Sequence, residues 1–137
     1  MGEGFEIEVG ERGAVVRYRT PGTVQGIVRA AEALAAHTGF RPSMPTIWDL
    51  SAAPDANLGA DDMRRLAPLV AGMRKGGGRP RVAIVTSSDA TFAGARMFTG
   101  LNEGRLYVDL GVFRTFEEAA DWAFETPAEQ PGSDDAG

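Results

Sequence analysis

Asp49, Ser51, Thr86, Ser87, Ser88 and Asp89 are the residues of this chain whose types and spacing suit chemistry. They follow two apolar runs, one through Ile47 and Trp48 and one from Val82 to Val85. If those runs are parallel strands, the six polar groups gather at the carboxyl edge of a sheet, where ligands of layered α/β domains settle. Asp49 and Asp89 with Ser87 would suit a Mg²⁺-dependent phosphatase or another hydrolase. A serine nucleophile also needs a base, and the one histidine, His37, stands at the end of a different segment. A phosphoacceptor receiver would use Asp49 with Thr86 or Ser87. It would also need an acidic pair near the first strand and a lysine on the last, whereas the one lysine, Lys75, precedes the Val82 run. The same side chains are equally good caps, because short hydroxyls and carboxylates bond the free N–H groups of turns and helix starts. The reading favoured here is scaffold, with no catalytic set and no metal or cofactor expected.

The elements that would hold these groups follow from periodicity. Phe5, Ile7 and Val9 alternate with Glu6 and Glu8, and a second alternating run covers Ala14 to Arg19. Gly10-Glu11-Arg12-Gly13 between them predicts a hairpin, with Glu6 and Glu8 facing Arg17 and Arg19. Thr20-Pro21-Gly22-Thr23 opens a helix. Its apolar stripe is Val24, Ile27, Val28, Ala31, Leu34 and Ala35, with Arg29 and Glu32 off it. Gly39 ends it, and His37 in the last turn suits the negative end of the helix dipole.

Pro45 to Ser51 reads as a buried strand and Ala52 to Gly59 as a loop. Ala60 to Lys75 is a helix with Met63, Leu66, Ala67, Val70 and Met73 inward, which Pro68 must kink or divide. Gly76-Gly77-Gly78 reads as a flexible link. Its order, helix then glycines then strand, is the reverse of a phosphate-binding loop. Val82 to Val85 suits a central strand covered on both faces. Ser88 or Asp89 then caps a helix to about Asn102, with Ala90, Gly94, Met97 and Leu101 inward and Phe92 and Phe98 off that stripe. Leu106 to Phe113 is the last strand. Thr115-Phe116-Glu117-Glu118 is a capping box for a final helix bearing Phe116, Ala119, Ala120 and Ala123 inward, flanked by Trp122 and Phe124. The expected architecture is a single α/β domain over residues 1–125. It has a mixed five-stranded sheet, an N-terminal antiparallel hairpin followed by parallel strands, and about four helices. Residues 126–137 are expected to form a disordered acidic tail.

Composition narrows the partners. With 43% hydrophobic and 24% charged residues the chain suits a soluble globule. No apolar run reaches bilayer length, and MGEGFEIE is not a basic-then-apolar leader. The absence of cysteine removes disulfides, thiolate metal sites and cysteine nucleophiles, and suits a cytoplasmic location. A net charge of −5 argues against nucleic acid. Six of the fourteen basic residues fall between Arg64 and Arg81. They read as a solvated basic face or, in a sharper view, a patch for an anionic partner.

The phrases TIWDLS, RVAIVTSSDATFAGARMF and VFRTFEEAADWAFE, in this order of elements, resemble the SpoIIAA-like family of the STAS superfamily. Phe113-Arg114-Thr115-Phe116-Glu117-Glu118-Ala119 leading to Trp122 matches the aromatic-Arg-x-aromatic-Glu-Glu-Ala ending of that family. The likeness spans roughly Phe5 to Glu125. It implies a STAS-type fold with the first strand antiparallel, related to lipid-binding CRAL-TRIO domains and to anti-sigma-factor antagonists. Those antagonists carry a phosphoserine switch, but the corresponding stretch here, Asp55-Ala56-Asn57-Leu58-Gly59, has no hydroxyl. A phosphate has nothing there to attach to.

Two functions follow as expectations. The first is a non-enzymatic binding or regulatory module presenting the helix after the Val82 strand. Phe92, Arg96, Met97 and Phe98, with Asp49, Ser51, Ser87 and Ser88 beside them, would engage a protein partner, a second copy in a homodimer, or an apolar, lipid-like ligand. The second is the hydrolase built on Asp49, Ser87 and Asp89.

Overall fold

The computed structural model describes residues 4–19, 24–52, 60–89, 91–93, 95–96 and 108–124. Five strands, β1 (Phe5–Val9), β2 (Ala14–Tyr18), β3 (Thr46–Asp49), β4 (Arg81–Val85) and β5 (Asp109–Phe113), form one sheet in the order β1-β2-β3-β4-β5. β1 pairs antiparallel with β2, and the other three pairings are parallel. The helices are α1 (Val24–Ala36), α2 (Ala60–Arg74), α3, whose described residues are 89, 91–93 and 95–96, and α4 (Phe116–Ala123). The expected α/β class, mixed sheet and antiparallel first pair are all present. The middle strand is β3, with β4 beside it.

The strand order fixes where the helices go. Each crossover from β2 to β5 advances in the same direction, so right-handed connections put their helices on one face. Ile27, Ala30, Ala31 and Leu34 of α1, Leu66 of α2 and Ala95 of α3 do pack against one set of strand residues, including Val16, Tyr18 and Val82. α4 follows the last strand and covers the opposite face, where Ala119 and Ala123 meet Val15, Ile47, Ala83 and Val85. β4 therefore buries residues on both faces, as its unbroken apolar run requires.

Several local expectations change. The hairpin register sets Glu6 opposite Arg17 and Glu8 opposite Val15, yet the ion pairs run diagonally, Arg17 with Glu8 at 3.1 Å and Arg19 with Glu6 at 2.9 Å. Long side chains reach across one diagonal step of a pleated pair. On α1 the inward positions include Ala30, while Ala35 faces water one residue before the helix ends at Ala36. His37 serves as an acceptor: its Nδ1 takes the Gly39 N–H at 3.0 Å. α2 runs through Pro68 undivided, with Pro68 on the exposed side where a helix has room to bend.

The glycine link is also pinned. A Cβ on Gly77 would lie 2.5 Å from the Pro42 carbonyl carbon and oxygen, so the backbones touch there. β5 spans Asp109–Phe113, after a bend at Val108, and the expected strand residues Leu106 and Tyr107 lie outside the described residues. The stripe residues Ala90, Gly94, Met97 and Leu101, the loop 53–59 and the tail 126–137 lie outside the described residues. Among the described residues no helix is long and apolar enough to cross a membrane.

Candidate functional site

The strand ends assemble as the sequence predicts. Register places Asp49, Val85 and Phe113 side by side, and Leu50 N–H and Thr86 N–H donate across to the Val85 and Phe113 carbonyls at 2.8 and 3.1 Å. The next residues out are therefore Leu50, Thr86 and Arg114, with Ser51 and Ser87 one position further. Asp49 Oδ1 accepts both the Ser51 N–H at 3.0 Å and the Ser51 hydroxyl at 2.6 Å. This is the local turn that aspartate makes with the residue two ahead.

Thr86 is fully buried and its hydroxyl accepts the Ser88 N–H at 3.1 Å. Ser88 caps α3, its Oγ accepting the Thr91 N–H at 3.2 Å. Ser87 is exposed and donates a long 3.5 Å bond to the Ser51 carbonyl. Thr86 and Ser88 accept backbone N–H groups at the start of α3, whereas the Ser87 hydroxyl does not.

Arg114 joins this cluster and was missed from the sequence. Its guanidinium pairs with Asp89 at 2.8 Å, donates to the Ser87 carbonyl at 3.4 Å and lies 4.2 Å from the centroid of the Phe92 ring. Arg96 approaches the same ring at 5.8 Å. Phe92, expected as free apolar surface, is thus a half-buried ring between two cations. Met97 and Phe98 lie outside the described residues. Position was the available clue: Arg114 follows β5 as Thr86 follows β4. Among the described residues no three metal-binding side chains converge on one point.

A second feature lies under α1 and α2. An apolar cavity of about 80 Å³ opens between these helices and the strand face carrying Trp48, Val82, Ile84 and Leu110. Ile27 and Ala31 of α1 and Leu66, Leu69, Val70 and Met73 of α2 supply the rest of the wall, with Leu50 and Arg74. Trp48, Leu69, Val70, Met73, Ile84 and Leu110 are only half-buried, so the cavity is not sealed. From the sequence these residues read as ordinary core.

Arg74 was read as part of a solvated basic run, and that reading is corrected. It is 2% exposed. Its Nη1 donates to the Pro42 and Met44 carbonyls at 3.1 and 2.8 Å, its Nη2 donates to Thr46 Oγ1 at 2.7 Å, and its guanidinium lies 5.0 Å from the Phe40 ring centroid. Burial pushes its pKa down to about 10, leaving it charged at neutral pH. The sequence did carry a signal, since Arg74 falls on the Leu66–Val70 stripe at the next spacing of four. The rest of the basic run scatters: Arg64 pairs with Asp61, Arg79 with Asp109 at 2.7 Å, and Arg81 donates to the Trp122 carbonyl at 2.8 Å. No protein-family model, curated protein or solved structure matches this chain.

Proposed function

We propose that this protein is a non-enzymatic binding module that holds an apolar ligand in the cavity between α1, α2 and the sheet. The observation that carries this reading is the cavity itself, an apolar space of about 80 Å³ among described residues that otherwise pack into three buried clusters. Native cores leave few voids larger than a water molecule, and small-molecule sites are mostly apolar pockets of this kind. The polar strand edge supports the same reading from the other side. Asp49, Thr86, Ser88 and Asp89 are engaged with Ser51, Ser88, Thr91 and Arg114 respectively.

The site therefore moves from the exposed side of α3 to the opposite side of α2. A SpoIIAA-like, STAS-type kinship is part of the proposal. The antiparallel first pair and the alternation of strands and helices support it.

The experiment is solvent extraction and mass spectrometry of the full-length protein purified from its own host. An apolar compound bound near one per chain is expected, retained by Phe92→Ser and lost in Ala31→Leu, which projects three more carbons into the space. Loss with Phe92→Ser and retention with Ala31→Leu would return the site to α3.

A further inference from the structure

We infer that the cavity takes an uncharged hydrocarbon group of about three to four carbons, and that its walls reject charged ligands of either sign. This rests on the reading of the cavity as the ligand site. Size comes first. An engineered apolar cavity of about 150 Å³ admits benzene, so a space of about 80 Å³ encloses roughly half as much. A long acyl chain does not fit inside it.

Wall chemistry gives the class. Among the described residues every lining side chain but Arg74 is apolar, and both terminal nitrogens of Arg74 are engaged by Pro42, Met44 and Thr46. An ammonium entering here would lose its water and meet a like charge in a poorly screened space. A carboxylate would lose its water too, and three of the five guanidinium N–H groups that could receive it are already given to Pro42, Met44 and Thr46. A hydrocarbon loses nothing on entry and gains dispersion contacts with Ile27, Leu66, Val82 and Ile84.

The test uses the full chain with labelled methyl groups and three four-carbon probes: butane, butyrate and butylammonium. The readout is the free concentration at which the methyl signals of Ile27, Leu66, Val82 and Ile84 shift. Butane is expected to act at a concentration at least tenfold below either charged probe, and Ala31→Leu is expected to abolish its effect. Should Ala31→Leu fail to fold, Ala31→Val serves, with a several-fold weakening expected. A charged probe acting within tenfold of butane overturns the neutral-ligand inference while leaving the cavity a binding site. Silence of all three probes at these methyls removes the binding-site reading with it.

Discussion

The carboxyl edge of the sheet and the cavity beneath α1 and α2 are built from opposite materials. At the edge, hydroxyls, carboxylates and guanidiniums are plentiful, and each described one bonds a neighbour within a few residues or across one strand. In the cavity one charged group serves twelve lining residues, and it is tied to backbone some thirty positions away. Polar groups near a surface satisfy one another cheaply. A buried charge holds only when distant segments are brought to it, so the second region depends on the whole fold.

The sharpest way to break this contrast is Arg74→Met. It keeps the volume but strands the Pro42 and Met44 carbonyls and Thr46 Oγ1. We expect a loss of about 2–4 kcal/mol in denaturant unfolding, since bonds to charged groups are worth about 1.5–3 kcal/mol each and orphaned buried acceptors add to the cost. A change below about 1 kcal/mol would mean that the guanidinium clasp holds little together.

Gly13→Ala is next, at about 2–3 kcal/mol. Gly13 has φ of +154°, and its Cβ would lie 2.3 Å from the Pro45 carbonyl oxygen, so both conformation and contact oppose it. Thermal melts of this variant measure how rigidly the hairpin is fastened to the strand beyond it.

Phe92→Ala tests the edge. Removing a ring that lies against Arg114 and Arg96 should cost about 1 kcal/mol, as exposed cation–π contacts are worth about 0.5–1 kcal/mol each. A larger loss would make α3 a pillar of the fold. Asp49→Asn should cost about 1 kcal/mol or less, because an amide oxygen still accepts from Ser51. A phosphatase or esterase activity in Mg²⁺ that vanished in this variant would reverse the contrast and make the edge the working region.

The smallest effect belongs to Glu8→Ala. Its exposed pair with Arg17 should be worth about 0.2–1 kcal/mol and fade in high salt.

Reading the chain in one dimension recovered what is local. Alternation gave the hairpin, the Val82–Val85 run gave a strand buried on both faces, and Ser88 and Thr115 were visible as caps, the latter with its hydroxyl accepting the Glu118 N–H at 3.2 Å. It failed where distant segments meet. Counting basic residues between Arg64 and Arg81 could not separate Arg74, turned inward, from its neighbour Lys75, turned outward. The cavity was illegible for a related reason. A void belongs to the space between side chains of five separate elements, and no single stretch encodes it.

Because the sheet runs β1-β2-β3-β4-β5, each strand finds its partner already made when it emerges from the ribosome. Assembly can proceed by accretion, every step closing only the intervening helix and its loops, which favours rapid docking over a search among registers. The antiparallel pair is the seed of that growth. Pulse-labelled amide protection should therefore appear at Ala14–Tyr18 no later than at Asp109–Phe113, and the reverse order would deny the growth this direction.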